Sequence, residues 1–273
     1  MNEKIIYINS LTIAFLSLIA TLSGLLWKGL YANDTISYMS QMMGQDLITL
    51  LVAIPLLLTS LYLISKNSLR GRLIWMGTIF YFLYTYLSLT FLASFNALFL
   101  VYVALMSISL FTLLGELINM DISHIKENFT PGSIYKTTAL FFMVAALFLA
   151  MMWLKMIIDS MISGLPPAAL EGYTTLVIQA MDLGILVPLA ILSAYLLLKK
   201  SNWGYLLSSI FLIKASLLGT AILSMILFMG LNGVELDPGQ VIIFVLLTLA
   251  GIFISLSFYS KIKGKYVKAN KIF

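Results

Sequence analysis

Eight times along this chain an apolar run continues for about twenty residues, long enough as a helix to cross a hydrocarbon core roughly 30 Å thick. Bilayers offer no water to backbone N–H and C=O groups, so such runs have one regular solution, the α-helix with its internal hydrogen bonds. The runs are Ile5 to Leu26, Asp46 to Ile64, Leu73 to Leu92, Ala97 to Leu114, Thr137 to Met156, Leu176 to Leu198, Tyr205 to Met229 and Val241 to Tyr259. Charged residues make up only 10% of the chain, against about 25% in soluble domains. The expectation is an all-α polytopic membrane protein with eight transmembrane helices. The first run exceeds the 7–15 apolar residues usual in a signal peptide, so it reads as an uncleaved first span.

Topology follows from the basic residues. Lys4, then Lys66, Arg70 and Arg72, then Lys126 and Lys136, then Lys199 and Lys200, and the tail lysines at 261, 263, 265, 268 and 271 fall on one side. The other side has Lys28 and Lys155, with acids at Asp34, Asp159, Glu171, Glu235 and Asp237. Both termini are therefore expected in the cytoplasm. The net charge of +5 reflects this asymmetry and not a nucleic-acid surface, because the basic residues line one face of the membrane.

A second level of order is internal. The segment Pro55 to Leu73 lies under Pro188 to Leu206 without a gap, at an offset of 133 (188 minus 55). Pro55, Ser60, Tyr62, Lys66, Ser68 and Gly71 then meet Pro188, Ser193, Tyr195, Lys199, Ser201 and Gly204. Asp46-Leu47 resembles Asp182-Leu183 at a slightly larger offset of 136, and Tyr81 falls opposite Lys214. The pattern predicts two parallel four-helix repeats. Residues 1–117 form the first, 118–136 a cytoplasmic linker, and 137–273 the second with a basic tail.

Asp182 in the sixth run and Lys214 in the seventh are ionisable residues within apolar segments, each costing about 2.5–3.5 kcal/mol on insertion scales. They are tolerated where they face a partner or a wet cavity, which makes them the first candidate site. Asp182 lies roughly 9 Å below the outer end of its helix and Lys214 near midplane, at 1.5 Å per residue. That spacing leaves two arrangements open: a direct ion pair fixing helix packing, or a water or solute held between the two groups. Tyr81 and Thr85, with Thr78 and Ser88, form a hydroxyl stripe at helical spacing on the third run, flanked by Tyr84 and Tyr86, suited to a polar solute or to interhelical hydrogen bonds. Asp46 reads either as a ligand or as a first-turn acid favoured by the helix dipole. Pro55 and Pro188 each remove one backbone donor inside an apolar run, freeing the carbonyls of Leu51 and Gly184. Ala215 with Gly219, and Ser216 with Thr220, permit close helix contact.

There is no cysteine and one histidine, His124, in a charged loop, so thiol chemistry and a histidine metal cluster are excluded. No phosphate loop, dinucleotide fingerprint, H-E-x-x-H or G-x-S-x-G is present, and neither an enzymatic activity nor a cofactor is expected.

The run Ser68-Leu69-Arg70-Gly71-Arg72-Leu73-Ile74-Trp75, through Tyr81 to Phe95-Asn96-Ala97-Leu98-Phe99-Leu100, resembles a family of uncharacterised prokaryotic polytopic integral membrane proteins. Asp182-Leu183-Gly184 with Pro188, Trp203-Gly204-Tyr205 and Lys214 is similar to that family's second half. The resemblance implies a bacterial or archaeal plasma membrane and no particular activity. The leading expectation from the residues is a small-solute carrier, with proton coupling as an option and a site between the halves around Asp182 and Lys214. The alternatives are a membrane-embedded sensor or accessory subunit in which the pair is structural, and a retinal-type photoreceptor with a Schiff base at Lys214. Expected partners are the bilayer and a small solute or ion, with homo-oligomerisation left open.

Overall fold

Eight helices long and apolar enough to cross a membrane run through residues 1–264, which are those the computed structural model describes. They are α1 (Glu3–Leu26), α2 (Ile36–Ser65), α3 (Leu69–Leu92), α4 (Phe99–Asn119), α5 (Ile134–Ser163), α6 (Val177–Leu198), α7 (Asn202–Leu231) and α8 (Pro238–Ser260). No strand occurs among the described residues. The tail lysines at 265, 268 and 271 lie outside them.

Local chemistry explains where the helices start. Asn2, Thr35, Ser68, Ser201 and Asp237 each accept a backbone N–H of the first turn that would otherwise be orphaned, and α8 adds a proline at its opening position. Gly164, left-handed at φ 69°, ends α5. The hairpins α2–α3 and α6–α7 are built alike. Asn67 and Lys200 both take φ 55°, Ser68 and Ser201 cap α3 and α7, and the ammonium groups of Lys66 and Lys199 stand 5.5 and 5.7 Å from the rings of Tyr62 and Tyr195.

Both prolines sit just beyond a single turn of π-helix, Thr49–Ala53 before Pro55 and Asp182–Leu186 before Pro188. The wider turn accommodates the ring where a regular helix would bring it against the carbonyl four residues back. The irregularity expected at the prolines thus lies upstream of each. The two π-turns begin at Thr49 and Asp182, which lie at the same offset of 133 as the prolines.

In packing, α1 lies on α2 and α4, and α3 on α2 and α4; α5 lies on α6 and α8, and α7 on α6 and α8. The two groups meet through α2 and α3 against α7, and α3 against α6. α3 is accordingly the most enclosed helix, 83% of its apolar window being buried against 11% for α5. Leu140, Leu147 and Met161 on α5 and Phe253 and Leu256 on α8 are exposed, an apolar surface that meets lipid.

Several boundaries differ from those read off hydropathy. α2 starts ten residues before Asp46, because the polar segment Ile36 to Gln45 packs on α7 instead of lipid; Asn232 Nδ2, for example, donates to Ser40 Oγ at 2.9 Å. Asp46 is therefore mid-helix and not a first-turn acid. The linker shortens to the residues between Asn119 and Ile134, and α5 continues to Ser163. Arg72 and Glu116, which fall outside the third and fourth apolar runs, lie within α3 and α4 and form a buried ion pair between them, Nε to Oε1 2.6 Å.

Candidate functional site

Within the α5–α8 group lies a cavity of about 450 Å³, with α2 and α3 supplying its remaining wall. The size falls in the roughly 300–1,000 Å³ range of ligand pockets. Its upper lining includes Glu171, Tyr173, Glu235 and Asp237, so it faces the acidic end of the bundle. Towards the basic end Phe142 and Phe211 pack edge to face at 5.1 Å. Beyond them Phe129, Tyr135, Tyr205 and Phe258 form an aromatic cluster, with Phe129 and Tyr135 each 4.8 to 6.3 Å from the other three rings.

Asp182 and Lys214 both line this cavity, and both are buried, 5% and 1% exposed. They make no ion pair. Tyr84 stands between them. Its hydroxyl donates to Asp182 Oδ1 at 2.5 Å while its ring face lies 3.7 Å from the Lys214 ammonium. The second oxygen, Oδ2, accepts from Trp153 Nε1 of α5 at 2.9 Å. Phe80 is the other ring near Lys214, at 5.8 Å. The polar pole of the cavity is therefore a carboxylate with both oxygens engaged and a cation held against aromatic faces, an arrangement favoured when desolvated.

The π-turn that opens at Asp182 sets this geometry, since an extra residue in one turn re-aims the side chains around it; such turns are frequent at functional sites. Gln45 and Gln179 add polar groups to the lining.

Of the other expected site residues, Ser88 of the hydroxyl stripe lines the cavity, while Tyr81, Thr85, Asp46, Pro55 and Pro188 do not. Tyr81 shares a 2.9 Å hydrogen bond with Thr49, and Thr85 accepts from Gln45 Nε2 at 2.5 Å, both inside the α2–α3 contact. Asp46 accepts from Tyr31 at 2.7 Å on the opposite face of α2, close against Gly24 of α1. Tyr81 and Thr85 of the hydroxyl stripe on α3 thus bond across to α2, while Thr78 and Ser88 donate to carbonyls of their own helix, those of Ile74 and Thr85. Tyr84 and Trp153 are the residues sequence reasoning missed as ligands of Asp182; Tyr84 stood out only as a flank of that stripe. His124 sits on the exposed loop, where its hydrogen bond to Glu127 raises its pKa above the ordinary histidine value.

A clip spans the acidic end beside the mouth. Tyr173 Oη donates to Asp34 Oδ1 at 2.9 Å, Ser94 N donates to the same oxygen at 2.8 Å, and the Thr35 hydroxyl donates to Glu171. The loop between α5 and α6 is thereby tied to the α1–α2 and α3–α4 connections.

Tyr84→Phe is expected to keep the ring against Lys214 and to remove the hydroxyl from Asp182. Hydrogen bonds to charged groups are worth about 1.5–3 kcal/mol, and the unfolding midpoint of the purified protein should fall accordingly. An unchanged midpoint would mean that the bond does not hold Asp182.

Among the described residues no group of three or more His, Asp or Glu is placed to hold a metal ion. Compared with models of known protein families, with curated proteins and with solved structures, the chain matches none.

Proposed function

We propose that the protein is a carrier for a small solute, bound in the cavity around Tyr84, Asp182 and Lys214. The observation that carries this reading is a pocket of about 450 Å³ at membrane depth whose polar pole is an aspartate and a lysine held apart by a tyrosine ring. A pair that only fastened two helices would be expected to close into direct contact, because breaking a buried pair is strongly destabilising. Ionisable groups within membrane spans mark solute and ion pathways, and proton coupling would use Asp182, the cavity's carboxylate at membrane depth.

We further read the molecule as two parallel four-helix repeats, residues 1–117 and 137–273. Support comes from the π-turns, left-handed turn residues, caps and lysine–tyrosine contacts that recur at one offset of 133. Thr49 and Tyr81, hydrogen-bonded in the first half, hold the places of Asp182 and Lys214 in the second. Carriers built of parallel repeats keep the site near midplane where the halves meet, and α2 and α3 of the first half wall this cavity. The excess of Lys and Arg at the end opposite Glu171 and Asp237 supports cytoplasmic termini, in a prokaryotic plasma membrane.

The test uses the absence of native cysteine. Ala146→Cys and Ala190→Cys each place one thiol in the cavity wall. In oriented proteoliposomes a carrier exposes this thiol alternately, so a membrane-impermeant maleimide should label it from either side. Labelling from the acidic side alone would overturn the carrier reading in favour of a receptor pocket. Labelling from neither side would leave the Asp182–Tyr84–Lys214 cluster with a structural role.

A further inference from the structure

Lys214 and Asp182 differ in what they still need. The carboxylate has a donor on each oxygen, Tyr84 and Trp153. The ammonium has three N–H donors and no acceptor of its own. It is 1% exposed and faces the cavity; among the described residues it lies over the Tyr84 ring and makes neither a hydrogen bond nor an ion pair, so that Asp182 acts on it only through space, across that ring. A buried cation in this state is complemented by an acceptor that carries negative charge.

The rest of the wall specifies the remainder of the ligand. From Lys214 towards α5 and α8 the lining is apolar, with Phe141, Phe148, Phe244 and Leu247 prominent. The mouth carries Glu171, Glu235 and Asp237, which repel solutes of high negative charge. Tyr84, standing between the two charged groups, separates the docking point at Lys214 from the Asp182 carboxylate.

Building on the cavity as a solute site, we propose that its ligand is a singly charged organic anion with an apolar body, the anionic head on the Lys214 ammonium and the body against α5 and α8. An anionic head gains a charge-assisted hydrogen bond inside a low-dielectric wall, whereas an amide of the same length offers only a neutral acceptor and an amine brings a second cation against Lys214.

The probes are octanoate, octanamide and octylamine, added to the protein in nanodiscs of zwitterionic lipid, with the unfolding midpoint and titration calorimetry as readouts. Octanoate should bind at least tenfold more tightly than either analogue and raise the midpoint. Lys214→Met should lose at least tenfold in octanoate affinity, and Lys214→Arg should keep most of it. The proposal is overturned if octanamide or octylamine matches octanoate, if octanoate does not bind, or if Lys214→Met binds it unchanged. Should Lys214→Met fail to fold, the probe series on the unaltered protein decides alone. Binding and carriage fail separately. Octanoate binding through Lys214 with cysteine labelling from one side only keeps the anion site and removes the carrier; two-sided labelling without preference for octanoate does the reverse.

Discussion

Replacing Arg72 with methionine should destabilise the folded protein by about 3–5 kcal/mol, and replacing Arg72 and Glu116 together should restore most of that loss. Arg72 lies in the first turn of α3 and Glu116 in the last turn of α4, and their side chains are 4% and 0% exposed. The guanidinium Nε approaches Glu116 Oε1 at 2.6 Å, and the N-terminal ammonium of Met1 stands 3.4 Å from Oε2. Removing the arginine alone leaves a carboxylate sealed among helices whose remaining ionic partner among the described residues is the amino terminus, at 3.4 Å. Replacing both by apolar residues of similar volume removes the carboxylate with the guanidinium and takes the Glu116 acceptor from the Met1 ammonium, and such replacements of buried pairs are often neutral or stabilising. The measurement is the unfolding midpoint of the single and double variants in detergent. A double variant as unstable as the single would mean that the site depends on more than charge pairing.

Gly44→Leu should have an effect of similar size by a different route. Gly44 of α2 faces α7, where an added Cβ would sit 2.5 Å from the backbone N and Cα of Met225. Backbone atoms cannot rotate away as a side chain can, so the two helices must separate. Overpacking costs about 1–3 kcal/mol and occasionally more, so Gly44→Ala should already fall in that range and Gly44→Leu beyond it. Met42, Gln45 and Met225 line the cavity, so the separation would also deform the solute site. Gly184 is the control: nothing lies within 4 Å of an added Cβ there, and Gly184→Ala should stay within about 0.5 kcal/mol. If Gly44→Ala and Gly184→Ala behave alike, the α2–α7 contact is looser than described.

Legibility tracked the range of the physics involved. Asp182 and Lys214 were recognisable because an ionisable residue in an apolar run is anomalous wherever the run packs. Tyr84 was not, since a tyrosine in a helix crowded with Tyr81 and Tyr86 carries no mark of which neighbour its hydroxyl will reach. Asp46 was misplaced at a helix start because the polar residues before it look like loop, and only α7 lying against them lets that segment remain helical. Arg72 and Glu116 read as loop charges for the same reason: their partner was 44 positions away.

The sequence alone determined that the chain is all-helical and that eight of its segments can span a bilayer. Both conclusions depend on local quantities, the length of an apolar run and the demand that each backbone group bond within its own segment. Tertiary structure decided which polar groups meet, where a cavity remains, and which helix is enclosed. Those depend on the rotation of each helix about its axis and on its neighbours, and in a largely apolar helix such as α5 hydropathy is nearly the same on every face. The aspartate and the lysine were visible one at a time; that a tyrosine from a third helix stands between them, in a pocket whose α5 and α8 walls are largely apolar, is a property of the packed bundle.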